Sequence, residues 1–149
     1  MGTSYTTIVD IFSKKIFEYK LTVLLEDERD EWIIALMNVA CAKFGKTCRQ
    51  NLKKRTQEDD GFVAELTDEE IDIICNYMIC EWLKPYLYSS ELLRERLSTK
   101  DYNEYSPANL IDKINTVYND TTKASRLLAV NYTYSNRDYK EKLKDAISS

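Results

Sequence analysis

Residues 66–85, "LTDEEIDIICNYMICEWLKP", decide how this chain is read. Thr67 stands where an N-cap should, with Glu70 three residues on, so each side chain can satisfy an amide that the first turn leaves open. Leu66 and Ile71 flank the cap as a hydrophobic staple. Asp68, Glu69 and Asp72 add negative charge where a helix dipole favours it. From Ile71 to Leu83 apolar residues fall on nearly every side, which predicts a central, buried helix over about 67–83. Pro85 disfavours helical geometry at Lys84 and predicts a stop or kink there.

The elements on either side are helical too. Ile8, Phe12, Ile16 and Tyr19, with Ile11 alongside, repeat at helical spacing and predict a helix from about Ser4 to Tyr19. A second begins in "EDERDE" (26–31) and turns Ile33, Leu36, Met37, Ala40 and Phe44 inward, with a continuation past Gly45 to Cys48 and Leu52 left open. "KKRTQEDDG" (53–61) reads as a loop and "FVAEL" (62–66) as a short strand or an extended lead-in. "SSELLRERL" (89–97) predicts a short helix and "STKDYNEY" (98–105) a loop. Ser106 and Pro107 form a cap followed by proline in the first turn. Beyond them Leu110, Ile114, Val117, Thr121, Ala124 and Leu128 alternate at three and four, the spacing of a narrow bundle seam. The last stretch, 135–149, has few apolar residues and reads as a mobile tail or a frayed helix. The sum is an all-α fold, a small helical bundle of four to five helices around the central one. Residues 1–134 make a single helical domain and 135–149 a C-terminal tail or docking arm.

Composition points the same way. Only three glycines and two prolines occur in 149 residues, few for a fold built on many turns. The net charge of −4 gives no overall attraction to nucleic acid or an anionic membrane. The first twenty residues are charged every few positions and do not read as a signal peptide. No apolar run approaches the ~20 residues of a membrane span, so no membrane partner is expected. Gly2 and Thr6 match the loose N-myristoylation pattern, which is short enough to arise by chance.

Chemistry is harder to find. The chain has no histidine, which removes the commonest general base, the commonest zinc ligand and every Ser-His or Cys-His pairing. Cys75 and Cys80, five apart on a helix, point about 140° away from each other. Cys41 and Cys48 share a face but lie about 10 Å apart along a helix axis. No Cys-x-x-Cys pair exists, so the expectation is four reduced, buried thiols and no metal or cofactor. The acids of "TDEEID" are accounted for by capping, and no catalytic residue is assigned.

Two features point to partners instead. Residues 43–55, "KFGKTCRQNLKKR", carry six bases and no acid, and from Glu58 to Asp72 eight acids follow without a base. Solvated faces are the plain reading, contact with phosphate another. The third is a charge-complementary contact between neighbouring subunits, with Lys53, Lys54, Arg55, Glu58, Asp59 and Asp60 as candidates. Eleven tyrosines suit interfaces, where a ring is buried and its hydroxyl stays wet. Tyr132, Tyr134 and Tyr139, with Leu143 and Ile147 following Tyr139 at intervals of four, are candidates for a docking arm.

From Leu66 to Tyr134 the chain resembles head–tail connector, or neck adaptor, proteins of tailed bacteriophages of Gram-positive hosts. The residues that carry it are Trp82, Leu83, Lys84 and Pro85; Leu92 and Leu93; Lys100, Asp101 and Tyr102; and Ser106, Ala108, Asn109 and Leu110. The resemblance covers about half the chain and rests on a structural signature. It implies a non-enzymatic virion protein, made in the host cytoplasm and placed in the neck. Copies of itself would form a ring, often a dodecamer, between the portal protein and a tail-side neck protein. DNA in the lumen would be met without sequence specificity, and a terminal arm would dock on a neighbouring ring. The alternative is a phage-encoded helical binding protein, either a host-protein inhibitor or a nucleic-acid accessory protein.

Overall fold

The computed structural model describes residues 2–21, 24, 30–89, 91 and 107–148, with the side chains of 107–108 and 136–148 excepted. Four helices carry it: α1 (Tyr5–Glu18), α2 (Asp30–Phe44), α3 (Asp68–Tyr88) and α4 (Pro107–Ser148). The fold is a small all-α bundle. Of the helix predicted over 89–97 only residues 89 and 91 are described, and the loop after it lies outside the described residues.

The helix starts follow the local chemistry. Ser4 caps α1 by accepting from the Thr7 amide, and Ile8, Phe12 and Ile16 are buried along one face. At α3 both halves of the capping box are made, Thr67 with the Glu70 amide and Glu70 with the Thr67 amide. α3 touches each of the other three helices and has its most extensive contact with α4. Ile73, Ile74, Cys75, Met78, Ile79 and Leu83 are fully buried, as an all-round apolar helix requires.

Of the stop or kink expected at Pro85, the stop is not made: α3 runs through the proline to Tyr88. An interior proline costs about 3 kcal/mol through a lost amide bond and a ring clash. Beyond it, however, Tyr86 is buried and packs edge-on to Trp82, with ring centroids 6.4 Å apart. Burying that ring against the core offsets the local penalty, and the helix continues.

α2 ends at Phe44 and does not reach Cys48 or Leu52. The Thr47 and Cys48 amides and the Thr47 hydroxyl all donate to the Phe44 carbonyl, closing the helix in a tight turn. Leu52 is buried nonetheless, on the far side of that turn. Lys43 in the last turn of α2 pairs with Glu81 of α3, which Lys84 also contacts.

"FVAEL" is the extended lead-in, not a strand. Phe62 sits between two segments, its amide donating to the Thr3 carbonyl while Arg55 pairs with it from the other side. The N-terminus is thereby stitched to the entry of α3, with the Thr3 amide on the Ala64 carbonyl and the Leu66 amide on the Thr3 hydroxyl. The approach is so close that a Cβ on Gly2 would lie 1.7 Å from the Phe62 carbonyl oxygen, so only glycine fits there.

In α4 the predicted seam holds through Leu110, Ile114, Val117 and Thr121, then slips. Ala124 is exposed and Ser125 is buried in its place; Leu128 is half-buried and Tyr132 is fully buried. The observed steps of four, three, four, four, three and four average near 3.67 residues per turn, the period of an eleven-residue repeat. A heptad seam needs supercoiled partners. The buried stripe of this helix instead stays close to the ordinary α-helical period of about 3.6 residues per turn. α4 also continues past Tyr134 as helix, where a tail was expected to begin.

Candidate interaction surfaces

The loop after α2 brings the basic segment against two buried tyrosines. Arg55 donates to the Leu52 carbonyl at 2.7 Å and to the Tyr5 hydroxyl at 2.7 Å, and its guanidinium stacks over Phe62. The same Tyr5 hydroxyl donates to Asp59 at 2.8 Å. Asp59 adopts a left-handed backbone (φ 54°), which aspartate tolerates better than most residues. Asp60 accepts from the Thr56 hydroxyl.

Arg55 is therefore held half-buried within its own chain, while Asp59 and Asp60 each make a bond within it and stay exposed. Lys53, Lys54 and Glu58 remain exposed. Two more acids of the block are also engaged internally, Asp72 with Lys15 at 2.5 Å and Glu70 within the core.

Glu70 is the residue whose role the sequence half concealed. It is 1% exposed, and while one carboxyl oxygen closes the capping box, the other accepts from the Tyr132 hydroxyl at 2.8 Å and from the Cys48 thiol at 3.4 Å. The Arg49 amide in turn donates to the Tyr132 oxygen at 2.8 Å, and the Arg49 guanidinium lies 4.6 Å from the ring centroid. Phe44 meets the same ring edge-on. Tyr132 thus joins α4, α3 and the loop after α2. It is not a docking-arm residue; its ring and hydroxyl are both used inside the bundle.

Of the other arm candidates, Tyr134 is exposed, while the side chains of Tyr139, Leu143 and Ile147 lie outside those described. Tyr134 shares an outward stripe with Leu127 and Val130 at spacings of three and four, each about half exposed or more. Spacing gave no reason to separate that stripe from the buried one, because both are apolar and interleave on one helix.

All four cysteines are free; Cys41, Cys75 and Cys80 are buried and Cys48 is half-buried. Burial pushes the Cys75 thiol up to about 12 and those of Cys41 and Cys48 up to about 11. Since the thiolate is the reactive form, the native protein should react with a thiol reagent at pH 8 far more slowly than the unfolded chain, with Cys48 first. Rapid modification of all four without denaturant would contradict their burial. Because these pKa values are raised on folding, the neutral thiols stabilise the fold fully below about pH 9, and that contribution is lost as the pH climbs through 11 to 12.

Among the described residues no group of three or more acidic, cysteine or histidine side chains is arranged to hold a metal ion, and no helix is long and apolar enough to cross a membrane. No protein-family model matches this chain, and no curated protein or solved structure does.

Proposed function

We propose that this chain is a structural protein of a tailed-phage virion, a head–tail connector whose copies form a ring between portal and tail. One observation carries the reading beyond the sequence resemblance: α4 is twice as long as the helix it packs on. Its 42 residues span roughly 63 Å against about 32 Å for the 21 residues of α3, at about 1.5 Å per residue. Tyr132 is its last buried residue among the described side chains, and Thr133, Tyr134 and Ser135 are all exposed. On this reading the part of α4 beyond Tyr132 supplies an arm for a neighbouring ring. The outward stripe of Leu127, Val130 and Tyr134 supplies apolar surface beside it. Lys53, Lys54 and Glu58 remain available for contacts between subunits.

Truncation after Tyr134 tests this, because it keeps Tyr132 and removes only residues 135–149. The melting temperature should stay close to that of the full chain while portal binding and particle completion are lost. A large fall in melting temperature would show that residues 135–149 serve their own bundle, and retained particle completion would remove the arm altogether.

A further inference from the structure

The turn and loop after α2 enclose a cleft of about 810 Å³, within the usual size range of small-molecule sites. Lys46, Arg49, Lys53 and Arg55 line it, with Asn38 and Gln50 among the polar groups between them. Among the described residues that line it there is no carboxylate and no aromatic ring. In a chain of net charge −4 this is a local reversal of sign.

None of the four cations makes a salt bridge among the described residues. Arg49 is held by stacking on Tyr132, and Arg55 by the Leu52 carbonyl, the Tyr5 hydroxyl and the Phe62 ring. These contacts fix the guanidinium groups without cancelling their charge. Two acids stand one hydroxyl away, Asp59 beyond Tyr5 and Glu70 beneath Tyr132. The side chains of Lys46 and Lys53 have no partner among the described residues. Four like charges around one concavity repel, and a multiply charged anion would relieve that repulsion.

We propose that this cleft binds adjacent phosphate groups, with Arg49 and Arg55 as fixed donors and Lys46 and Lys53 as the mobile ones that close on the ligand. With no ring for a base to stack on, recognition is of the phosphates themselves, whether those of a free polyphosphate or of a nucleic-acid backbone. The site stands independently of the connector reading.

The probes are sodium tripolyphosphate, followed by calorimetry and thermal melting at fixed ionic strength, and a fluorescent oligothymidylate, followed by anisotropy over a salt series. Tripolyphosphate should bind and raise the melting temperature. The Lys46→Gln/Lys53→Gln variant should melt normally without ligand but bind about tenfold more weakly or worse, as expected for two lost charged contacts. A Lys14→Gln/Lys123→Gln variant, which removes two exposed bases elsewhere, should bind as the parent does. If the oligonucleotide also binds, and its salt slope falls by about 1.4 in the first variant, the phosphates are those of a nucleic-acid strand. Binding of tripolyphosphate alone assigns a free anion. Failure of both probes to bind, or equal weakening in the two variants, would overturn the site.

Discussion

Trp82→Ala is expected to lower the stability of the fold by about 3–5 kcal/mol, the usual cost of emptying a large aromatic site in a core. Trp82 is 4% exposed and meets Phe12 of α1 at 6.0 Å and Tyr86 at 6.4 Å, both edge-on. The contact with Tyr86 also spans Pro85, so truncation removes packing and support for the last turn at once. In a chain of this size the loss corresponds to a fall of roughly 10 °C or more in melting temperature. Trp32 is the internal control. It is half exposed, and Trp32→Ala should change melting little. The Trp32→Phe background also leaves Trp82 as the sole indole, so its fluorescence reports the core alone. If Trp82→Ala melts like the parent, the indole is not packed between Phe12 and Tyr86, and α3 has lost its explanation for running through Pro85.

What the sequence disclosed was whatever depends on near neighbours. The Thr67 and Glu70 cap, the Ser4 start of α1 and the stripe of Ile8, Phe12 and Ile16 each need only three or four residues of context. The errors fall where distant contacts outweigh local preference. Pro85 stops or kinks a helix by local rules, and with Tyr86 buried beyond it the helix runs on to Tyr88. Arg55 looks like one more loop charge until Tyr5, fifty positions earlier, is placed under it. Tyr132 reads as part of the arm because it stands beside the apolar-poor tail, but its partners Arg49 and Glu70 lie 83 and 62 positions away. The cationic cleft was hidden for the same cause. A run of bases announced positive charge, but only the turn that ends α2 at Phe44 bends those residues around one concavity.

The second large effect is expected at Tyr132, because three parts of the molecule meet on its ring. Tyr132→Ala should cost about 3–5 kcal/mol, through lost packing on Phe44 and Arg49 and through stranded polar groups. Tyr132→Phe isolates the hydroxyl. It keeps the ring but leaves the Arg49 amide without its acceptor and one Glu70 oxygen with only the Cys48 thiol, at a cost of about 1–3 kcal/mol. Glu70→Gln retains an oxygen for the Thr67 amide while disturbing the bond to Tyr132. The two conservative changes should therefore couple, by about 0.5–3 kcal/mol in a double-mutant cycle read by denaturant melting. Alkaline titration gives an independent sign. Burial, and after it the bond to Glu70, raise the Tyr132 hydroxyl above its ordinary value of 10.0, with the Arg49 amide acting in the opposite direction. The neutral phenol therefore stabilises the fold fully below pH 10, and that contribution drains away as the pH rises toward the raised value. Above pH 10 the parent should lose stability faster than Tyr132→Phe, and the gap between them should narrow. Additive single changes, or a gap that stays constant into alkali, would mean that the hydroxyl is wet and that Tyr132 does not clasp α4 to α3.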